Sequence, residues 1–322
     1  MLAFFVLDGI NDGFENLAVS VQSGRSFGAA AQYIQITQKC SIFVFVYLWH
    51  FNNFNEYPLD CARTQKYYFF AIPADMNPNL LFNVLPQADS TNNYAIQQIR
   101  AGLAQHGIAW FTSQQTDGKG QRGKHWESEP GKNLALSLVV EPSKQASNNK
   151  YIFNMFIAEA CAAFLEHIVE QKVFLKWPND LFINDRKAGG ILIENIIRGK
   201  DWQWSVVGIG LNLNQTSFSS SAGRPLTLTQ LTGKYHDPEA TARELHSHLL
   251  TVIPNFLNGN IEDVLLAYNN RLFRKNDMAT FKKADEVFSG IILGVNQEGF
   301  LMVETGGVIN TIQFGEVEWL FT

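Results

Sequence analysis

The chain is short of cysteine, of charge and of long apolar runs, and each shortage closes a class of explanation. Its 322 residues include three cysteines, Cys40, Cys61 and Cys161. They form no C-x-x-C pair and no even set, which argues against a disulfide framework and for a reducing cytoplasm. Only 17% of residues are charged and the net charge is −5. No overall basic field is therefore available to hold nucleic acid, and any cationic site must be local. The apolar run "SIFVFVYLWHF" is about half as long as a membrane span, and the opening "MLAFFVLDGINDG" lacks the basic start of a signal peptide. These readings predict no nucleic-acid partner and no membrane.

What is present is enough apolar material, 46% of the chain, for a sizeable core in about two domains. Residues 1–75 stand apart, with ten of the 25 phenylalanines but only ten charged residues, no sustained helical period and no clear caps. A winged-helix DNA reader would show amphipathic helices and a basic recognition face, and neither is visible there. The segment reads as a poorly specified extension, dispensable, with Met76 as the expected native start.

From Met76 the pattern becomes regular. "LLFNVLPQ", "GIAWFTSQQT" and "KNLALSLVVE" read as strands, and Asp89-Ser90 as the cap of a helix bearing Ile96, Ile99 and Leu103. "YIFNMFIAEACAAFLEHIVE" reads as a long buried helix. "VFLKWPNDLFI", "GGILIE" and "WSVVGIGLNLN" form an antiparallel series with a turn at Asn184-Asp185-Arg186. Residues 238–272 read as two further helices, and the tail as a small barrel with turns at 296–299 and 305–307. The predicted architecture is α+β: a mixed or antiparallel sheet flanked by helices over residues 76–272, then a small C-terminal SH3-like β-barrel over 273–322.

The stretch "GKGQRGKHW", residues 118–126, has the glycine and lysine spacing of a phosphate-binding P-loop as far as Lys124. His125 then stands where such a loop needs Ser or Thr, and Pro130-Gly131 bars the helix that should follow. The loop therefore lies between strands, and its glycines and cations ask for an anion in some other setting.

Three more stretches carry polar residues that strand or helix patterning does not require: "DSTNNY", "KWPNDLFINDRKAGGIL" and "GIGLNLN". Together with the glycine loop, in this order and spacing, they resemble the biotin protein ligase family. The match runs from about Leu80 to the C-terminus. The resemblance implies that fold and a two-step reaction, in which biotin and ATP give biotinyl-5'-AMP, and the adenylate then acylates a lysine on the carrier protein or domain of a biotin-dependent carboxylase.

The same resemblance assigns residues. Lys187 is implied as the central catalytic cation, touching both the biotin carboxylate and the α-phosphate, with Arg122 as a second catalytic residue. Biotin is assigned to Ser90, Thr91, Asn92 and Gln115, to Gly118, Lys119, Gly120 and Gln121 of the loop, and to Lys187 and Gly190. The nucleotide is assigned to Lys119, Arg122, Lys124, Trp126, Lys176, Asn179, Asp180 and Asn212, Trp126 serving as a platform for adenine. A carboxylate attacking a phosphate gathers negative charge, so fixed cations and magnesium are expected, with Asp180 either a magnesium ligand or the orienter of a lysine. The loop is expected to close over the adenylate and keep water out.

One departure stands out, since many relatives carry arginine where this chain has Gln121. Arg122 or Lys124 is expected to supply the missing charge. Lipoate protein ligases share the fold and the adenylation step but lack Lys-Trp-Pro-Asn-Asp. A bifunctional ligase and DNA-binding repressor would need a DNA-binding domain within residues 1–75. Whether the chain pairs as a homodimer is left open.

Overall fold

The computed structural model describes residues 19–26, 29–36, 43–45, 80–142, 149–219, 224–258 and 260–320. The strands β1 (Val19–Ser26), β2 (Ala29–Ile36) and β3 (Phe43–Phe45) pair antiparallel in a sheet of their own. The rest of the N-terminal region lies outside the described residues, and with it the readings of a dispensable extension and of no DNA-binding domain.

The second unit is built on a seven-stranded sheet in the order β4-β5-β6-β10-β9-β8-β7. Its strands are β4 (Phe82–Val84), β5 (Ala109–Thr112), β6 (Leu134–Val140), β7 (Phe174–Lys176), β8 (Asp180–Ile183), β9 (Arg186–Arg198) and β10 (Asp201–Leu211). All neighbours run antiparallel except β4 and β5, so the sheet is mixed. Every residue of β5 and β6 is buried, as expected of central strands covered on both faces.

Helix α1 (Thr91–Arg100) covers one face, where Ala95 packs with Trp110, Val139 and Val206. It ends sooner than its apolar spacing suggests. Ala101 is its C-cap, Gly102 turns the chain at φ 71°, and Leu103 is left 67% exposed. Helix α2 (Lys150–Val169) is long and apolar enough to cross a membrane by length and composition, yet 61% of that window is buried inside the molecule. It is a core helix, capped by the Asn149 side chain, which accepts from the Ile152 N–H at 3.1 Å. Three helices, α3 (Leu228–Thr232), α4 (Pro238–Asn258) and α5 (Ile261–Arg271), follow the large sheet. Sequence patterning had indicated the last two and not the short α3.

The C-terminal strands β11 (Met278–Lys283), β12 (Glu286–Val295), β13 (Leu301–Thr305), β14 (Val308–Ile312) and β15 (Glu318–Leu320) form an antiparallel sheet in the order β14-β13-β12-β11-β15. Among the described residues β14 and β15 are the two ends of this strand order, the antiparallel β domain that the sequence leads one to expect. That sheet is tied to its neighbours: Trp177 Nε1, just past β7, donates to the Gly299 carbonyl at 2.9 Å, and Asn269 Nδ2, on α5, to the Val295 carbonyl at 2.9 Å.

Candidate active site

A cleft of about 690 Å³ opens on the sheet face that carries α1. Its floor follows from register. Ser137 pairs with Gly208, and Gly208 with Leu192; two residues along, Ala135 pairs with Gly210 and Gly210 with Gly190. Alternate residues of three neighbouring strands thus point the same way, and small ones leave room for what lies above. A Cβ on Gly208 would come 2.3 Å from Asn92 Oδ1, and one on Gly210 would come 2.5 Å from Trp126 Cε2.

At one end of the cleft stands the N-terminus of α1. Ser90 occupies the cap position, but its side chain makes no capping bond. The cap comes from another strand end: the Thr91 N–H donates to Gln115 Oε1 at 2.9 Å. The Ser90 hydroxyl, on a residue only 2% exposed, is thereby left for another partner. Asn92 is committed to the protein, because its Nδ2 donates to Glu194 Oε2 at 2.7 Å and to the Leu192 carbonyl at 3.2 Å.

The glycine loop closes on itself as a narrow hairpin. The Trp126 N–H donates to the Gly118 carbonyl at 2.8 Å and the Gly120 N–H to the Lys124 carbonyl at 2.7 Å. Gly118 lies at the base, where a Cβ would strike the Trp126 carbonyl at 2.5 Å. The tip, Gln121–Gly123, is a tight turn and not regular helix, with Arg122 at φ 55° and Gly123 at φ 75°. No helix intervenes before β6, so the P-loop reading is excluded by the backbone itself.

Two of the loop cations are already engaged. Lys119 Nζ donates to Asn93 Oδ1 at 2.6 Å, and Asn93 in turn donates to Asp89 Oδ2 at 2.9 Å. That bond from Asn93, with the Ser90 N–H second, holds the Asp89 carboxyl below its usual value. Arg122 Nη1 donates at 2.7 Å to the carbonyl of Gly315, in the turn between β14 and β15.

Lys187 sits just past a two-residue turn, Asn184-Asp185, both at positive φ (48° and 58°), which fits the twist of a tight hairpin. The strand pairing shifts register between Leu181 and Phe182, opposite Lys187 and Gly189. Lys187 Nζ lies 2.6 Å from Asp180 Oδ1 and 5.6 Å from the centre of the Trp126 ring. Its backbone is held from two sides, the N–H donating to the Arg224 carbonyl and the carbonyl accepting from the Leu226 N–H and from Asn212 Nδ2. The ammonium is thus mounted on rigid chain.

Asp180 also faces Lys176, whose Nζ is 3.9 Å from Oδ2 and lies over the rings of Phe182 and Trp319 at 5.4 and 5.3 Å. Burial pulls the Lys176 ammonium below the ordinary lysine value, and Asp180 opposes that pull. The Asn179 side chain donates to the Ile191 carbonyl, fastening the Lys-Trp-Pro-Asn-Asp turn to β9. The buried indole Nε1 of Trp126 has no hydrogen-bond partner.

All the residues singled out in the sequence line this one cleft except Gly118, which supports it. Patterning missed Phe314, between β14 and β15, and Trp319 of β15, which also line it. It also missed Ser137, although a fully buried serine in an apolar strand was a signal of the same kind as Asn212.

Comparison with known proteins points one way. The family model described as "Biotin/lipoate A/B protein ligase family" matches residues 84–212. The bifunctional ligase/repressor BirA of Escherichia coli (strain K12) is 30% identical over 237 residues, covering 73% of this chain and 72% of that protein. A biotin--[acetyl-CoA-carboxylase] ligase of Paracoccus denitrificans is 33% identical over 162 residues, 48% of this chain and 66% of that one. Among solved structures, the biotin protein ligase from Aquifex aeolicus in complex with biotin and ATP superposes with a TM-score of 0.63 at 23% identity, covering 75% of this chain and 99% of the other.

Proposed function

The chain belongs to the biotin/lipoate A/B protein ligase family, and from that premise we propose that its cleft makes biotinyl-5'-AMP and passes the biotinyl group to a lysine of a carboxylase carrier domain. It is an ATP-dependent biotin protein ligase. The observation that carries the residue-level reading is the Lys187–Asp180 pair at 2.6 Å. It lines the same cleft as the hydrogen-bonding groups at the α1 N-terminus and the cations Arg122, Lys124 and Lys176.

The chemistry asks for this layout. In the first step a biotin carboxylate oxygen bonds to the α-phosphorus of ATP, and the bond to the bridging oxygen breaks with its electron pair leaving on pyrophosphate. Two anions must approach, so a fixed ammonium between them lowers the barrier, and one already oriented by Asp180 needs no reorganisation. In the second step the neutral amine of the carrier lysine attacks the acyl carbon, AMP departs, and the amine's proton passes to solvent. Ser90, Thr91 and Gln115 bind the ureido ring. Trp126 offers its face to adenine, while Lys124 and Lys176 take phosphate oxygens.

Magnesium does not find a protein cage here. Among the described residues no three His, Cys, Asp or Glu side chains cluster, and Asp180 is already shared by two lysines. We infer that the ion arrives on the phosphates of ATP, as is usual for this cation. The cytoplasmic setting rests on the cysteine reading, and a homodimer is a question for sedimentation. The test of function is pyrophosphate exchange into ATP with biotin or lipoate as the acid. Exchange with biotin is expected; exchange with lipoate alone would assign the cleft to the lipoate branch.

A further inference from the structure

We propose that Glu194 is a positioning residue for biotin recognition, its carboxylate setting, through Asn92 and Ser137, the direction in which the Thr91 hydroxyl donates. The proposal deepens the ligase reading and rests on it.

The argument is a count of hydrogens along a buried chain. Glu194 Oε2 and the Leu192 carbonyl can only accept, and both face Asn92 Nδ2, at 2.7 and 3.2 Å. The Asn92 amide is thereby oriented with Oδ1 toward β6. There it lies 2.6 Å from Ser137 Oγ, which also lies 2.7 Å from Thr91 Oγ1. Ser137 has one hydroxyl hydrogen. Were it given to Thr91, two oxygen lone pairs would face each other at 2.6 Å in a site where Ser137 is fully buried, so it goes to Asn92 Oδ1.

Thr91 then has two places for its own hydrogen, Ser137 Oγ at 2.7 Å or Gln115 Oε1 at 3.3 Å. Both lie inside the protein. Toward the cleft Thr91 Oγ1 is accordingly an acceptor. Gln115 Oε1 already accepts from the Thr91 N–H at 2.9 Å, which leaves Gln115 Nε2 as a donor. An acceptor beside a donor matches a cyclic urea, whose ring N–H donates and whose carbonyl accepts.

Without the carboxylate the chain can reverse. If Asn92 turns its amide over, Ser137 must accept from it and donate to Thr91. Thr91 then loses its nearer acceptor and keeps only the 3.3 Å contact to Gln115 Oε1, so its hydrogen is free to turn into the cleft against the N–H of the ligand. Only the longer contact to Leu192 resists that flip. Glu194 reaches Asn92 across 102 residues of sequence, and the smallness of Gly208 lets the Asn92 side chain lie between the two elements.

The experiment uses the full chain and measures biotin affinity by calorimetry, with KM for biotin and for ATP beside it. E194L is expected to weaken biotin about ten-fold, the scale of one hydrogen bond in a charge-oriented chain, with the KM for ATP unchanged. E194Q keeps an oxygen that accepts from Asn92 and restores most of the affinity. S137A breaks the chain at its middle link and brings a similar loss, and E194L/S137A binds no worse than the weaker single variant, since residues acting through one chain are not additive. Wild-type affinity in E194L, a parallel loss for ATP, no rescue by E194Q, or losses that multiply in the double variant would each overturn the proposal. If E194L fails to fold, S137A decides alone, an unchanged biotin affinity counting against it. Failure of the wild-type chain to bind biotin would instead sink the ligase reading.

Discussion

Lys187 Nζ stands 2.6 Å from Asp180 Oδ1 across a hairpin, while the other oxygen of the same carboxylate faces Lys176 at 3.9 Å. One anion therefore holds two cations at the centre of the cleft, and the consequences of disturbing each partner differ.

Lys187→Ala removes the charge that bridges the two anionic reactants. Adenylate formation, followed by pyrophosphate exchange, is expected to fall by on the order of a hundred-fold or more, the usual cost of losing a preorganised charge partner. Circular dichroism should show an intact fold, because the hairpin is held by backbone bonds. Full activity in a folded variant would remove Lys187 from the mechanism.

Lys176 gives a signature in pH. Its value lies below the ordinary 10.5 chiefly through burial, so its charge is lost earlier than that of a free lysine as pH rises. KM for ATP should accordingly begin to climb at a pH below 10.5, and K176M should raise KM at neutral pH while abolishing that part of the pH dependence. D180N removes the group that opposes burial and should shift the rise to still lower pH. Stability carries the matching sign: a lysine more acidic when folded than unfolded lets the fold gain stability as pH rises through that window. A wild-type alkaline limb that is unchanged in K176M would contradict the assignment.

Arg122, though exposed, is tethered by its bond to the Gly315 carbonyl, which bears on the Gln121 departure. If Arg122 supplies the charge that relatives place at position 121, R122A should raise the off-rate of biotinyl-5'-AMP about ten-fold, for a charged hydrogen bond of roughly 1.5–3 kcal/mol, and Q121A should do little. G315A offers a second route to the same end. Its backbone is at φ 88°, and the new Cβ would lie 2.8 Å from Arg122 Cζ. A large effect at Gln121 with none at Arg122 or Gly315 would place retention elsewhere.

Gly210 supports Trp126. A Cβ at this position would meet the indole at 2.5 Å, and displacing a packed ring costs about 1–3 kcal/mol. G210A is therefore expected to raise KM for ATP about ten-fold while biotin affinity changes little. An equal loss for both ligands would show that Trp126 does not serve the nucleotide alone.

Much of this was legible without coordinates. Residues 118–126 could not be a P-loop because His125 and Pro130-Gly131 rule out the helix, and the chain indeed runs on to β6. Lys187 was marked by the turn before it and the glycines after it. Leu103 misled, because apolar spacing continues past the point where Gly102 ends the helix. Ser90 has the sequence of a side-chain cap, yet Gln115 supplies the cap by accepting from the Thr91 N–H.

The sequence by itself determined which groups were available: the cations, the amides, the glycines that admit close approach, and the order of strands and helices that short-range patterning encodes. Only the tertiary structure decided what each polar atom faces. Asn92 and Glu194 lie 102 positions apart, Arg122 and Gly315 lie 193 apart, and neither pair is visible in a local window. Those contacts depend on strand register and on small residues clearing space between elements, and a buried donor or acceptor must be matched by whatever the fold brings to it.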